Sequence, residues 1–170
     1  MAGYQDLLTV REGDRAIVAD ARHFPLVVIT WFGEMNEATY RQFHDWMCSV
    51  VERAQAEGTK VAMVNDARNA RRPPPTVRKY IAELTDSMVG EFEAYSVDNF
   101  IVIDNALVRG ALTAMQWLSN ARWGVRPVPS LAEALERALR LLEAENIPVP
   151  PVDPQHYPAH EMPKPEDESA

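Results

Sequence analysis

Residues 61–64 form an apolar run, Val-Ala-Met-Val, in which polar and apolar side chains do not alternate. A strand of this kind buries both of its faces, which requires helices on both sides of its sheet. The run stops at Asn65 and Asp66 and is followed by Arg68, Arg71 and Arg72 and then by Pro73, Pro74 and Pro75. Residues 61–75 therefore read as a buried strand whose carboxyl end opens into a stiff basic loop feeding a helix. In open α/β sheets, ligands and partners collect at such places.

The flanking sequence supports this layout. Residues 16–19 and 26–32 are short strand-like runs separated by a turn and read as a hairpin. Asn36, with Glu37 behind it, marks a helix start. Tyr40, Phe43, Trp46, Met47, Val50, Val51 and Ala54 then fall at helical spacing up to Gly58. Thr76 is placed to cap a second helix whose apolar stripe is Val77, Tyr80, Ile81, Leu84, Met88, Val89, Phe92 and Tyr95. Residues 97–103 read as a strand, and Asn105 is placed to cap a third helix carrying Leu107 to Leu118. A short edge strand at 125–128 precedes a Ser130/Glu133 capping box and a final helix. The order is β-β-α-β-α-β-α-β-α: an α/β fold with a mixed, mostly parallel sheet covered by helices.

Composition narrows the class. At 170 residues the chain suits one domain. Its net charge of -8 argues against general binding to nucleic acid. Cys48 is the only cysteine, so no internal disulfide forms. No apolar run reaches membrane-span length, and the first residues lack the layout of a signal peptide, which gives a cytoplasmic expectation. Seven of the 13 prolines lie in the last 25 residues. That segment, 146–170, is expected to be a disordered or loosely draped acidic tail beside a folded unit at 1–145. His156 and His160 within it read as solvated tail residues, because Pro158 stands between them.

Gly33-Glu34-Met35 closes the second predicted strand, Asp66 lies just past the third, and the last helix begins Ser130-Leu131-Ala132-Glu133-Ala134. With the order of elements over residues 14–145, these features resemble the STAS domain of bacterial anti-sigma-factor antagonists, and the divergent single-domain branch of STAS-like proteins in particular. The resemblance implies a regulatory module that works by protein–protein contact, with a regulatory kinase or other signalling protein as partner. Antagonists of this type carry a phosphorylated serine in an Asp-Ser-Ser-Gly turn at the start of the second helix. The matching stretch here is Asn69-Ala70-Arg71-Arg72. The serine is missing, and Thr76 is the nearest hydroxyl and the remaining candidate phosphoacceptor.

Common enzyme motifs are absent: there is no phosphate-binding Gly-Lys-Ser/Thr loop, no His-Glu-x-x-His and no Gly-x-Ser-x-Gly elbow. A non-enzymatic module with no cofactor and no metal is expected, although Glu34, Asp66 and Asp104 at strand ends raise the alternative of an acidic Mg²⁺ pocket. Arg68, Arg71, Arg72, Arg78 and Lys79 occupy twelve residues that contain no acid. Two of these cations, Arg78 and Lys79, sit where a helix dipole disfavours them. Asp66, Arg68, Arg71, Arg72, Thr76, Arg78, Lys79 and Arg109 are thus the candidate surface for a protein partner. A small anion, a nucleotide or a lipid headgroup is the alternative ligand, and a solvated charged loop is the simplest reading. Trp117 and Trp123 raise the further alternatives of a homodimer contact or plain burial.

Overall fold

The computed structural model describes residues 5–105 and 124–165. Six strands form one sheet in the order of the chain: β1 (Leu7–Glu12), β2 (Arg15–Asp20), β3 (Leu26–Glu34), β4 (Val61–Arg71), β5 (Ser96–Val102) and β6 (Arg126–Val128). The first two pairings are antiparallel and the next three parallel. The mixed, mostly parallel sheet expected from the sequence is therefore present. The described helices are α1 (Glu37–Glu57), α2 (Pro75–Tyr95) and α3 (Leu131–Ala144). The third helix anticipated over 107–118 lies outside the described residues, as do Arg109, Trp117 and Trp123.

Strand periodicity sorts the side chains into two cores. Ile17, Ala19, Val27, Ile29, Val61 and Met63 join Phe43, Trp46, Met47, Val50 and Val51 of α1 on one face. Leu26, Val28, Ala62, Val64, Phe100 and Val102 join Leu131, Ala134, Leu135, Ala138 and Leu142 of α3 on the other. Asn36 and Thr39 form the capping box of α1: the Thr39 amide donates to Asn36 Oδ1 at 2.8 Å, and the Asn36 amide donates to Thr39 Oγ1 at 3.2 Å. Gly58 ends that helix in the left-handed region at φ 63°. At the start of α3, Ser130 Oγ accepts from the Glu133 amide at 3.2 Å, while the Glu133 carboxylate turns outward to Arg137.

Four expectations need correction. β1 was not anticipated. Its run is short, and it is fixed by antiparallel pairing to β2 through the Gly13–Asp14 turn, with Gly13 at φ 60°. β4 does not stop at Val64, because the long β3 pairs onward, Phe32 with Asn69, Gly33 with Ala70 and Glu34 with Arg71. The stretch 66–71 is thus strand rather than loop. Thr76 is not a cap: Pro75 opens α2, Pro74 is the N-cap, and no side chain bonds there. Proline at the first helical position has no amide to satisfy and already holds a helical φ.

The fourth correction concerns the tail. Ile147, Val152 and Tyr157 pack on the α3-side core, and Met162 packs on Ala16, Val18 and Phe32. The Ile147 amide bonds back to Leu142 O at 2.9 Å, and Gln155 Nε2 donates to Glu136 Oε1 at 2.7 Å. Residues 147–162 form a strap across the sheet. Prolines lower the entropy lost when a segment is fixed in extended form, so a few apolar anchors suffice to hold it.

Candidate functional site

The α1–α2 face is not packed solid. A cavity of about 350 Å³ lies between these helices and strands β3, β4 and β5. That is within the range of small-molecule sites. Its floor includes Ile29, Trp31, Met63 and Asn65, its walls Tyr40, Phe43, His44, Met47, Ile81, Thr85 and Phe92, and its margin Arg71 and Pro73. Of the eight apolar positions expected on the buried stripe of α2, only Val77, Met88 and Phe92 are buried, and Val89 is 39% exposed. The helix spans the sheet without filling the space beneath it. Gly33 also lines the cavity, at φ 70°, and a Cβ there would lie 2.5 Å from Asp14 O, so only glycine fits.

Polar groups of the cavity are mostly paired within the protein. Trp31 Nε1 donates to Asn65 Oδ1 at 3.0 Å, and Asn65 Nδ2 donates to Asn99 Oδ1 at 2.7 Å. Thr85 Oγ1 donates to Ile81 O at 2.8 Å, which leaves it to accept from the Tyr40 hydroxyl at 3.3 Å. Burial raises the Tyr40 pKa, opposed by the Thr85 bond. Trp31 also meets Phe43 edge-on at 4.8 Å between ring centroids, which fixes the indole at the cavity floor. Burial raises the pKa of the Cys48 thiol, as do the charges of Asp45 and Glu52. This thiol stays protonated at neutral pH.

Within the basic cluster read from the sequence, Arg68 is drawn onto a buried acid while Arg71, Arg72, Arg78 and Lys79 stay exposed. Asp66 is 2% exposed and shares the α3-side face of β4 with Ala62 and Val64. Arg68 forks onto it, Nε to Oδ1 at 2.9 Å and Nη2 to Oδ2 at 2.7 Å. This pairing raises the Arg68 pKa, and the charge of Asp104 adds to it. Asp66 and Asp104 thus bear on a guanidinium, while Glu34 pairs in register with Arg71, so the three strand-end acids do not converge. Among the described residues no group of three or more histidines, cysteines or acids is placed to hold a metal ion. Arg71 is exposed at the cavity margin and lies 3.5 Å from Asp14 Oδ2. Arg72, Thr76, Arg78 and Lys79 are exposed at the start of α2, and Lys79 meets Glu83 at 3.8 Å.

Sequence reasoning missed a second polar cluster, on the opposite face. Asp20 is 2% exposed, and it receives the Arg22 guanidinium at 3.0 and 2.7 Å and the Arg22 amide at 2.9 Å. His160, from the strap, places Nε2 3.2 Å from Asp20 Oδ2 and Nδ1 2.9 Å from Thr30 Oγ1. Burial would push the Asp20 carboxyl up, but hydrogen bonds from His160 and Arg22 outweigh it and hold the group well below the ordinary carboxylate range. Tyr157, packed edge-on to His160, is pushed up by burial and by the Asp20 charge. The signal that was available is the pair of polar residues, Asp20 and Thr30, placed in otherwise apolar strand runs. His156, by contrast, is exposed and, among the described residues, meets its neighbour Asp153 at 2.7 Å. No helix among the described residues is long and apolar enough to cross a membrane.

No family model and no curated protein matches this chain. A solved structure from Shewanella loihica PV-4, of an uncharacterized protein of the DUF3478 family with a SpoIIAA-like fold, is similar to it at 14% sequence identity. The TM-score is 0.50, and the match covers 78% of this chain and 91% of that one. At that identity the likeness concerns the backbone alone, and it agrees with the strand order and helix placement described above. The chain has a STAS-like, SpoIIAA-like fold.

Proposed function

We propose that this protein is a binding module for a small, mainly apolar molecule held between α1, α2 and the sheet. The observation that carries this reading is the cavity of about 350 Å³, lined chiefly by aromatic and aliphatic side chains at the carboxyl side of the parallel strands. Apolar surface left in water is costly, and an occupant removes that cost on both partners. The apolar lining favours such a guest over the nucleotide or free anion that the basic sequence suggested, because among the described residues of that cluster only Arg71 borders the cavity. Binding then acts as the signal, with α2 as the element that senses it, and no reaction is required.

Butylbenzene is a suitable probe. Trp31 lies in the cavity floor, so binding is expected to change its fluorescence saturably and to raise Tm with ligand concentration. Ala67→Leu, which places a larger side chain in the cavity lining, is expected to weaken that binding at least roughly tenfold. Wild type that shows neither response would remove the proposal.

A second reading is favoured by a separate observation. Arg72 and Arg78 are exposed, and among the described residues neither forms an ion pair. With Thr76 between them, the start of α2 is a candidate docking point for an acidic protein partner such as a regulatory kinase, and Thr76 a candidate phosphoacceptor. Affinity capture from the native host is expected to lose specific partners when Arg72 and Arg78 are changed to alanine. An unchanged set of partners would count against docking at this point.

A further inference from the structure

The cavity under α2 is long, and its two ends differ. Along α2 its lining runs from Phe92 to Ile81, about 16 Å at the helical rise. Along α1 it runs in the same direction, from Met47 to Tyr40. At one end Phe92, Met47 and Met63 are buried. At the other, where β4 passes into α2, stand Arg71 and Pro73, and the Arg71 side chain is 70% exposed. A space of about 350 Å³ drawn out over that length has a mean cross-section of about 20 Å². That suits one extended hydrocarbon chain better than a fused ring system. A water molecule occupies about 30 Å³ and a methylene is of similar size, so the space holds a chain of about a dozen carbons.

Charge separates the two ends as well. Among the described lining residues Arg71 is the only lysine or arginine, and there is no aspartate or glutamate. Its guanidinium offers five N–H donors, and its Nη1 lies 3.5 Å from Asp14 Oδ2. Both members of that pair are largely exposed, so it is weak and readily exchanged. Glu34, in register with Arg71 on β3, is exposed too. The first turn of α2 starts beside Pro73 without a side-chain cap, so its amides add partial positive charge at the same end. An anion placed there gains a partner and keeps its access to water; at the far end it would be buried among apolar side chains.

We infer that the guest is a straight-chain carboxylate of about ten to twelve carbons, its chain laid under α2 and its carboxylate on Arg71 at the mouth. This rests on the cavity reading and names its ligand class. One guanidinium matches one carboxylate in fork geometry. Each methylene drawn from water into the apolar lining tightens binding about fourfold until the space is full.

The test titrates the full chain with octanoate, decanoate, dodecanoate and hexadecanoate at low salt by calorimetry, with decan-1-ol as the neutral counterpart of decanoate. Affinity is expected to rise about fourfold per methylene up to about ten to twelve carbons and then to level off. Decanoate is expected to bind wild type about fivefold more tightly than decan-1-ol. Arg71→Gln is expected to remove that preference and leave decan-1-ol binding unchanged, whereas Arg71→Lys keeps the charge and most of the preference. An affinity that does not change with chain length would overturn the inference. So would a carboxylate preference that is absent from wild type or survives in Arg71→Gln. Butylbenzene binding without binding of any chain would overturn it while leaving the cavity reading intact. If neither butylbenzene nor any chain binds wild type, both fall.

Discussion

The two faces of this sheet are built from the same strands and differ in how completely they are filled. On the α3 face, Leu135, Ala134, Ala138 and Leu142 are fully buried against Val28, Val64 and Val102, and the strap from 147 to 162 covers what α3 leaves exposed. On the α1–α2 face, α1 packs closely, but α2 buries only three side chains and roofs a cavity. Protein interiors are normally packed at the density of organic crystals, and a void of this size forfeits contacts on every wall. Where one face is solid and its opposite is hollow, the hollow face is the one available for a guest and the solid face is what keeps the fold together in its absence.

Removing residues 146–170 attacks the solid face and is the largest change expected. It strips the partly buried Ile147, Val152, Tyr157 and Met162 from their packing and leaves Asp20 without His160. A loss of about 4 kcal/mol, or roughly 10 °C in Tm, is expected from this burial. A truncated chain with unchanged Tm would show that the strap adds nothing.

Next in size is Asp20→Asn, at about 2 kcal/mol for lost charge-assisted hydrogen bonds. This effect is tied to pH. The Asp20 carboxyl is held well below its unfolded value of roughly 3.9, so its stabilisation is present above that pH and is lost as the pH falls toward the folded value. Urea midpoints measured between about pH 6 and pH 2 should fall on acidification in wild type, and less steeply in Asp20→Asn. Parallel curves would separate Asp20 from acid unfolding.

The smallest stability change belongs to the hollow face. Ala67→Leu adds volume where volume is available and is expected to leave the unfolding free energy within about 0.5 kcal/mol of wild type, even as it blocks the cavity. Overpacking a filled core by the same addition costs about 1–3 kcal/mol, so a cost of that size at Ala67 would mean that the face is not hollow.

Much of the fold was legible because local signals agreed with the tertiary answer. Asn36 and Gly58 bound α1 as read, the 61–64 run is a doubly covered parallel strand, and the stripe from Leu131 to Leu142 is the core face of α3. The readings that failed depend on pairing across long sequence distances. The extension of β4 through Arg71 comes from β3, about 37 residues earlier in the chain, at Glu34. Once that strand extends, Asp66 is buried on the α3-side face and Arg68, itself still exposed, pairs with it.

By itself, the sequence determined the alternation of strands and helices, the two-sided covering of the central strands and the basic start of α2, since each follows from periodicity, capping or local charge. Only the tertiary structure decided the hollow under α2, the place of Arg71 at its margin and the seat of His160 between Asp20 and Thr30. A stripe of apolar residues specifies which way a helix faces; how closely it approaches the sheet depends on every side chain between them. A proline-rich tail reads as solvent-exposed until a surface exists for it to cover.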